Sequence, residues 1–309
     1  MRTGGEPNPS INQLADDAGR LTAARNALEQ AIADGRAQVS DAQQAQRSLT
    51  ILDELNLDAA SRVAVLLLPI FDGGSRGLEA IRKQYGDDIA SLLSALHRLS
   101  HFGHQIVVSS EEAAPSQVET LRRMLLALAD DLRVVVIQLA RHIAYLESVA
   151  DDIKSNVAGA AELGQALGVE TLRVQAPLAN RLGIWQLKWA MEDLAFRMTA
   201  PADYRAIAGM LDEKRLEREA FIASTIESLQ QLLAQADIPG QVMGRPKHLF
   251  SIHNKMQAKG LRFDQLMDIR AFRILVDTEP QCYAVLGFLH YHWRPMDSEF
   301  DDYITRPKA

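Results

Sequence analysis

A chain of 309 residues with 47% hydrophobic and 24% charged content has the makeup of a globular protein, long enough for two domains. Its net charge of -7 argues against a general DNA-binding protein, and its single cysteine, Cys282, excludes an intrachain disulfide or a cysteine-based zinc site and suits a reducing cytoplasm. No apolar run reaches the roughly 20 residues needed to span a bilayer, and the opening MRTGGEPNPSINQLADD reads as a flexible tail over 1–19 rather than a signal peptide.

Helical spacing dominates the first two thirds. Leu21 to Ala33 predicts a helix ended by Gly35, and Ser40 is placed to cap a helix through Leu55. Asp58 can cap the apolar VAVLLLPI segment, which Pro69 must end or kink. Ile89 to Leu99 predicts another amphipathic helix. The stretch from Glu111 to Gln117 reads as a loop, and helices are expected over Val118 to Ala129 and Leu132 to Val149. The run RVVVIQLA is apolar on nearly all sides, which marks the centre of an all-α first domain over 20–155. Residues 156–200 read as a helical connector in which Trp185 and Trp189, four apart, share a helix face for packing. A long charged helix is expected from Ala202 to about Ala236, closed by Pro239-Gly240.

From Gln241 the pattern changes. QVMG predicts a strand before an Arg-Pro turn, Ser251 to Lys259 a helix, Asp268 to Val276 a strand, and Cys282 to His292 a helix. The part from 201 to 309 is therefore α+β.

The segment from Gly244 to Arg273 carries Arg245, Lys247, Lys255, Lys259, Arg262, Arg270 and Arg273 against Asp264 and Asp268. Seven cations minus two carboxylates leave an excess of five positive charges in an acidic chain. Such a segment needs an anionic partner, and polyphosphate is the natural one. Ser251, Lys255 and Lys259 fall at helical spacing, so one helix face can offer a hydroxyl and two ammonium groups near a helix N-terminus. A solvated basic helix explains the spacing equally well. Asp268 could hold Mg²⁺ against nucleotide phosphates, or could pair with Arg270 or Arg273. His97, His101 and His104 at i, i+4 and i+7 could include a metal pair, although a partly exposed helix face accounts for them better.

These residues resemble the RelA/SpoT family of (p)ppGpp synthetases and hydrolases. The synthetase pattern Gly-Arg-x-Lys-x-x-x-Ser-x-x-x-Lys is met by Gly244, Arg245, Lys247, Ser251 and Lys255, and Phe-Asp-x-x-x-Asp-x-x-Ala-x-Arg by Phe263, Asp264, Asp268, Ala271 and Arg273. The segments PLANRLGIWQLKWAMEDLAF and CYAVLGFLHYHWRPM are similar to the family as well. The resemblance implies that Arg245, Lys247, Ser251 and Lys255 bind ATP, with Lys308 also in the nucleotide site. It implies Asp268 as the Mg²⁺ ligand, and Asp268 and Arg273 as catalytic residues. The implied reaction moves the β,γ-pyrophosphate of ATP to the ribose 3′ oxygen of GTP or GDP, as in the stringent response. Glu299, Phe300, Asp301 and Asp302 match the Glu-x-Asp-Asp of synthetase-only, RelA-type members.

In hydrolysing members an HD domain holds Mn²⁺. Where these have a His-Asp pair this chain has Leu68-Pro69, and where they have Leu-Ala-Asp-Arg-x-His-Asn it has Leu139, Ala140, Arg141, His142, Ile143, Ala144 and Tyr145. A degenerate HD scaffold without hydrolase activity is expected. Family synthetases continue past Pro-Lys with Asn-Gly-Tyr-Gln-Ser and then Glu-Ile-Gln-Ile-Arg. This chain stops at Ala309, before the acceptor-stacking Tyr and the second acidic residue, so it reads as a truncated fragment with little synthetase activity. Contacts to the ribosome and uncharged tRNA would belong to a C-terminal half outside it. The expected fold is thus a mostly α degenerate HD domain followed by a truncated, nucleotidyltransferase-like α+β synthetase domain. The rival readings are a non-catalytic nucleotide-binding or regulatory module and a metal-dependent hydrolase in the N-terminal domain.

Overall fold

The computed structural model describes residues 11–109, 131–213, 215–266, 270–294 and 300–306, with side chains described at all of these except 11–15, 100–109, 213, 215–218 and 245–246. The chain divides into two compact units, Met1–Pro201 and Ala202–Ala309.

In the first unit, α1 (Ile11–Ala33) begins well inside the stretch expected to be a tail, so the residues from Ile11 to 19 are helical. It is closed by Gly35 in the left-handed region, at φ 70°. Helix α2 (Val39–Glu54) starts one residue before Ser40. Its cap is Gln38, whose backbone N–H donates to Asp41 at 2.8 Å, so Ser40 lies in the first turn instead. Asp58 caps α3 (Ala59–Leu67) as expected, accepting the Ser61 N–H at 2.9 Å. Pro69 follows in a short 3₁₀ turn, Leu68–Ile70. Next come α4 (Ser75–Tyr85) and α5 (Asp87–Ser109), the latter longer than its apolar core from Ile89 to Leu99 suggests. The loop expected near Glu111 to Gln117 and the helix expected over Val118 to Ala129 lie outside the described residues.

Helix α6 (Leu132–Lys154) is capped by Asp131 and carries the RVVVIQLA run. Its sides face two cores. Val134, Ile137 and Ala140 pack with Leu67, Leu93 and Leu96, while Leu139, Leu146 and Val149 pack with Leu167, Leu187 and Met191. A helix apolar all round is explained by this double burial. The second core is built from the connector: α7 (Ala160–Glu170), a π-helical segment (Thr171–Gln175), α8 (Ala176–Arg181) and α9 (Trp185–Thr199). Trp185 and Trp189 lie with ring centroids 6.0 Å apart on α9.

In the second unit, helix is described over α10 (Pro201–Glu213) and α11 (Arg215–Gln235), within the stretch expected to be helical from Ala202 to about Ala236. Then follow β1 (Gly240–Pro246), α12 (Leu249–Lys259), β2 (Arg270–Val276) and α13 (Glu279–His292). Strand β1 runs through Arg245-Pro246, where a turn was expected, since both residues continue the antiparallel ladder. Two strands bury too little to stand alone. Here Val242 of β1 joins Leu229 and Leu233 of α11 and Val285 of α13, with Phe272, Ile274 and Val276 packed around them.

Asp58 both caps α3 and pairs with Arg133, which also holds Asp131 at 2.6 Å. Asp58→Ala is expected to cost about 1–2 kcal/mol in chemical denaturation, mainly from the lost cap. A second effect comes from His142, whose Nε2 lies 2.8 Å from the Thr171 hydroxyl of the π segment. That hydroxyl donates to the Leu167 carbonyl at 2.7 Å, so the neutral ring is the donor to Thr171. Burial pushes the His142 imidazole down to about 4. The unfolded ring takes a proton near 6.5 and the folded ring only near 4, so stability is full above the first value and falls between them. The loss is on the order of 3 kcal/mol, and His142→Gln, which keeps a donor without titrating, should flatten the curve of unfolding free energy against pH between these values.

Candidate functional site

The cationic segment is distributed over β1, the head of α12 and β2. Their register is Gly240↔Val276, Val242↔Ile274, Met243↔Arg273, Gly244↔Phe272 and Arg245↔Ala271. Val242, Ile274 and Phe272 belong to the inner face, packed with α11. Arg273 falls on the other parity and is exposed, beside Met243 and Leu275, which are exposed as well. The backbone position of Arg245 is diagonal to Arg273 across the two strands, which places two of the expected site residues at one end of the sheet.

Gly244 explains why the motif opens on glycine. A Cβ there would lie 2.8 Å from Cγ2 of Ile222 on α11 and 3.0 Å from the Phe272 ring. The backbone of β1 approaches α11 too closely for a side chain, and this approach fixes the strand just before Arg245.

Lys247 and, on α12, Ser251 and Lys255 are half-buried. His248 occupies the N-cap position with no side-chain cap of its own. Ser251 and Lys255 stand one helical turn apart, so the hydroxyl and the ammonium lie on one side of the helix. One residue that the sequence did not point to is His253. Its Nε2 is 3.4 Å from Asp203 of α10, and its ring stacks on Phe250 at 6.4 Å. Fifty residues separate the pair in sequence, so no local pattern could have revealed it.

Asp268 and Lys308 lie outside the described residues, as does Glu299. The neighbouring carboxylate Asp264 is paired with Arg262 in an exposed loop. Of the acidic pair, Asp301 accepts the Tyr303 hydroxyl at 2.7 Å. Asp302 accepts the Ile304 and Thr305 N–H groups at 2.9 and 3.0 Å and the Tyr283 hydroxyl at 3.1 Å. The Thr305 N–H, with these other donors, holds the Asp302 carboxyl below the usual range. Asp302 thereby organises the turn that leads to Arg306, whose N–H donates to the Asp302 carbonyl at 3.0 Å. A groove of about 500 Å³ lies between α11, β2 and α13, lined by Leu229, Phe272, Ile274, Val285 and Trp293 among others. It opens on the inner parity of the sheet, away from Arg273.

In the N-terminal unit, Leu68 is buried in the apolar core with Leu67, Phe71 and Leu96. Neither Leu nor Pro offers a ligand atom. Arg141 donates to Gln138 at 3.2 Å. Burial lowers its pKa and Asp41 opposes that shift, so the side chain brings a cation where a metal ion would need an anion. His97 packs edge-on to Phe71 at 5.4 Å and covers Gly73, where a Cβ would come within 2.1 Å of its Nε2. The side chains of His101 and His104 lie outside the described ones. Among the described residues, no group of three or more His, Cys, Asp or Glu could hold a metal ion. Gly244→Ala should destabilise the second unit by about 1–3 kcal/mol through overpacking, measured as a lower midpoint of its unfolding.

Comparison with known proteins adds identity to this geometry. Residues 20–185 match the HD domain model, and residues 244–309 match the region found in RelA / SpoT proteins. The chain is 40% identical over 258 residues to a GTP pyrophosphokinase of Photobacterium angustum, covering 84% of this chain and 34% of that one. It is 39% identical over 258 residues to the GTP pyrophosphokinase of Escherichia coli K12, with the same coverage. It is 36% identical over 261 residues to that of Myxococcus xanthus, covering 84% of this chain and 33% of that one. The chain spans about a third of the length of the curated relatives it matches. With both family models matched in order along one chain, it belongs to the RelA/SpoT family.

Proposed function

We propose that this chain carries the pseudo-hydrolase and ATP-binding parts of a RelA-type GTP pyrophosphokinase, acting in the cytoplasm in the stringent response. Residues 20–155 serve as a degenerate HD scaffold, 156–200 as a connector and 201–309 as synthetase region. The single observation that carries the reading is the sheet register, which brings Arg273 diagonal to Arg245 at the strand end that leads into Lys247, Ser251 and Lys255. In this reading a polyphosphate is held by cations from two strands and the following helix, and the register supports the strand part of that set.

In this reading Arg245, Lys247, Ser251, Lys255 and Lys308 hold ATP. Asp268 would hold Mg²⁺, which neutralises polyphosphate charge when bound. Arg273 stabilises charge that develops on the transferred group. The 3′ oxygen of GTP or GDP attacks the β-phosphorus of ATP in line, the bond to the bridging oxygen of the α-phosphate breaks, and AMP leaves. The chain's own residues contribute position and charge. Among the described residues Asp301 accepts one hydrogen bond, from Tyr303, whereas Asp302 is committed to its turn.

The N-terminal unit supports no hydrolysis in this reading, because Leu68, Pro69 and Arg141 replace metal ligands with an apolar contact and a cation. The non-catalytic alternative, a nucleotide-binding module, rests on the same cationic end and differs only in turnover.

The test is a synthesis assay with ATP and GDP, run on a version continued through the Asn-Gly-Tyr-Gln-Ser and Glu-Ile-Gln-Ile-Arg segments of family synthetases. Asp268→Ala should lower (p)ppGpp formation by about a hundredfold or more with an unchanged circular dichroism spectrum. Arg245→Lys should weaken MgATP binding by about tenfold, because an ammonium cannot copy the planar fork. MgATP bound with no product formed would favour the binding module. Near-normal synthesis by Asp268→Ala would remove Asp268 from the metal role.

A further inference from the structure

The end of the sheet that carries the cationic positions is held from behind by one aromatic contact. Arg270, the first residue of β2, has the opposite parity to Arg273 and lies on the α11 side, paired with Pro246 in the ladder. Its guanidinium carbon sits 4.1 Å above the centroid of the Phe221 ring of α11. Phe221 in turn lies 6.4 Å from the Phe272 ring, two residues farther along β2. The Arg270 Nε is buried and has no hydrogen-bond partner among the described residues. The described contact of this half-buried cation is the face of the ring, whose quadrupole attracts it.

Arg270 therefore differs from the other cations of the segment. It points away from Arg273, so it is not placed to take a phosphate on that side. Its position is mechanical. Two residue pairs from it in the ladder, Gly244 rests against Ile222, so neighbouring residues of α11, Phe221 and Ile222, touch both strands at the same end. The strand end is pinned twice: through β1 by the close approach at Gly244 and through β2 by the ring under Arg270. Inner packing of Arg270 also fixes the parity by which Arg273, three residues on, emerges on the other face.

We propose that Arg270 is a positioning residue of the nucleotide site, which stacks on Phe221 to clamp the cationic end of β1 and β2 to α11. The inference rests on the ATP-binding reading above. It predicts that a change on α11, a helix that contributes no expected nucleotide ligand, alters nucleotide affinity through the ring face rather than through bulk.

The experiment measures MgATP dissociation constants by calorimetry for the 309-residue chain and four variants, each with its thermal unfolding midpoint. Phe221→Leu keeps an apolar side chain but removes the ring. Phe221→Trp keeps a ring face. Arg270→Met removes the charge while keeping the stem, and the fourth variant combines Phe221→Leu with Arg270→Met. Phe221→Leu and Arg270→Met should each weaken MgATP about threefold to fivefold, and the double variant should be no weaker than either single one, because they remove one interaction. Phe221→Trp should bind within about twofold of the parent, a rescue that loss of packing alone would not produce. Unaltered affinity in Phe221→Leu, an equal loss in Phe221→Trp, or additive losses in the double variant would overturn the clamp. Arg273→Ala is measured in parallel. If the parent chain does not bind MgATP, or Arg273→Ala binds as the parent does, the ATP-binding reading itself fails. If Arg273→Ala loses affinity while Phe221→Leu does not, only the clamp fails.

Discussion

A two-stranded antiparallel ladder cannot hold charged side chains in register by itself, because it buries too little apolar surface to resist fraying. The second unit depends on the packing of α11 against that ladder. Leu229 and Leu233 cover Val242 on one side, and Ile222 meets the backbone at Gly244. Every cation expected to bind phosphate on β1 or β2 inherits its position from this contact. A basic segment on a free hairpin would neutralise an anion by diffuse attraction, with little geometry. Backed by a helix, the same segment presents fixed positions, and fixed positions are what in-line transfer between two nucleotides requires. The glycine that begins the motif is thus a packing residue.

In the N-terminal unit, Leu68 and Arg141 are each tied into the packing of the fold. Leu68 stands in a core with Leu67, Phe71 and Leu96, so an apolar residue at that place gains burial where a ligand would have needed a cation beside it. Arg141 then meets Gln138 and the field of Asp41, and the neighbouring His142 is bound to Thr171 as a neutral donor. Each of these side chains has a structural contact. A carboxylate in place of Leu68 would lie in an apolar pocket, and a metal ion beside Arg141 would meet a cation, and both are costly.

Much of this was legible in the sequence because the signals were local. Asp58 as a cap, Gly35 as a stop and the all-round apolarity of RVVVIQLA are decided within a few residues, and the structure places each where its chemistry demands. The change to α+β after Pro239 was equally plain. The errors were of another kind. Ser40 looked like a cap, but Gln38 and Asp41 formed the reciprocal pair first. The turn expected at Arg245-Pro246 failed because proline at the end of an edge strand can remain in the ladder when the amide it lacks is not required. The tail gave way to α1 from Ile11, where Ile11, Leu14 and Ala15 already continue the helical spacing. What the sequence could not show were pairings between distant residues: His253 with Asp203, Tyr283 with Asp302, and Arg270 on Phe221.

The last of these changes how the charge of the segment should be counted. Seven cations against two carboxylates suggested a single field aimed at an anion. Strand parity divides that field. Arg273 is exposed on one side of the sheet, whereas Arg270 turns to the α11 side and is covered by an aromatic face. Arg262 is paired with Asp264 in the loop between α12 and β2. Removing those two leaves Arg245, Lys247, Lys255, Lys259 and Arg273, and the first three with Arg273 are the positions matched by the family pattern. Net charge along a sequence therefore overstates the electrostatic site, and the alternation of a strand with the local pairs of a loop selects the cations that can meet one ligand. In a chain of net negative charge, cations selected in this way act on an anion at short range, where charge-assisted hydrogen bonds outweigh the distant field.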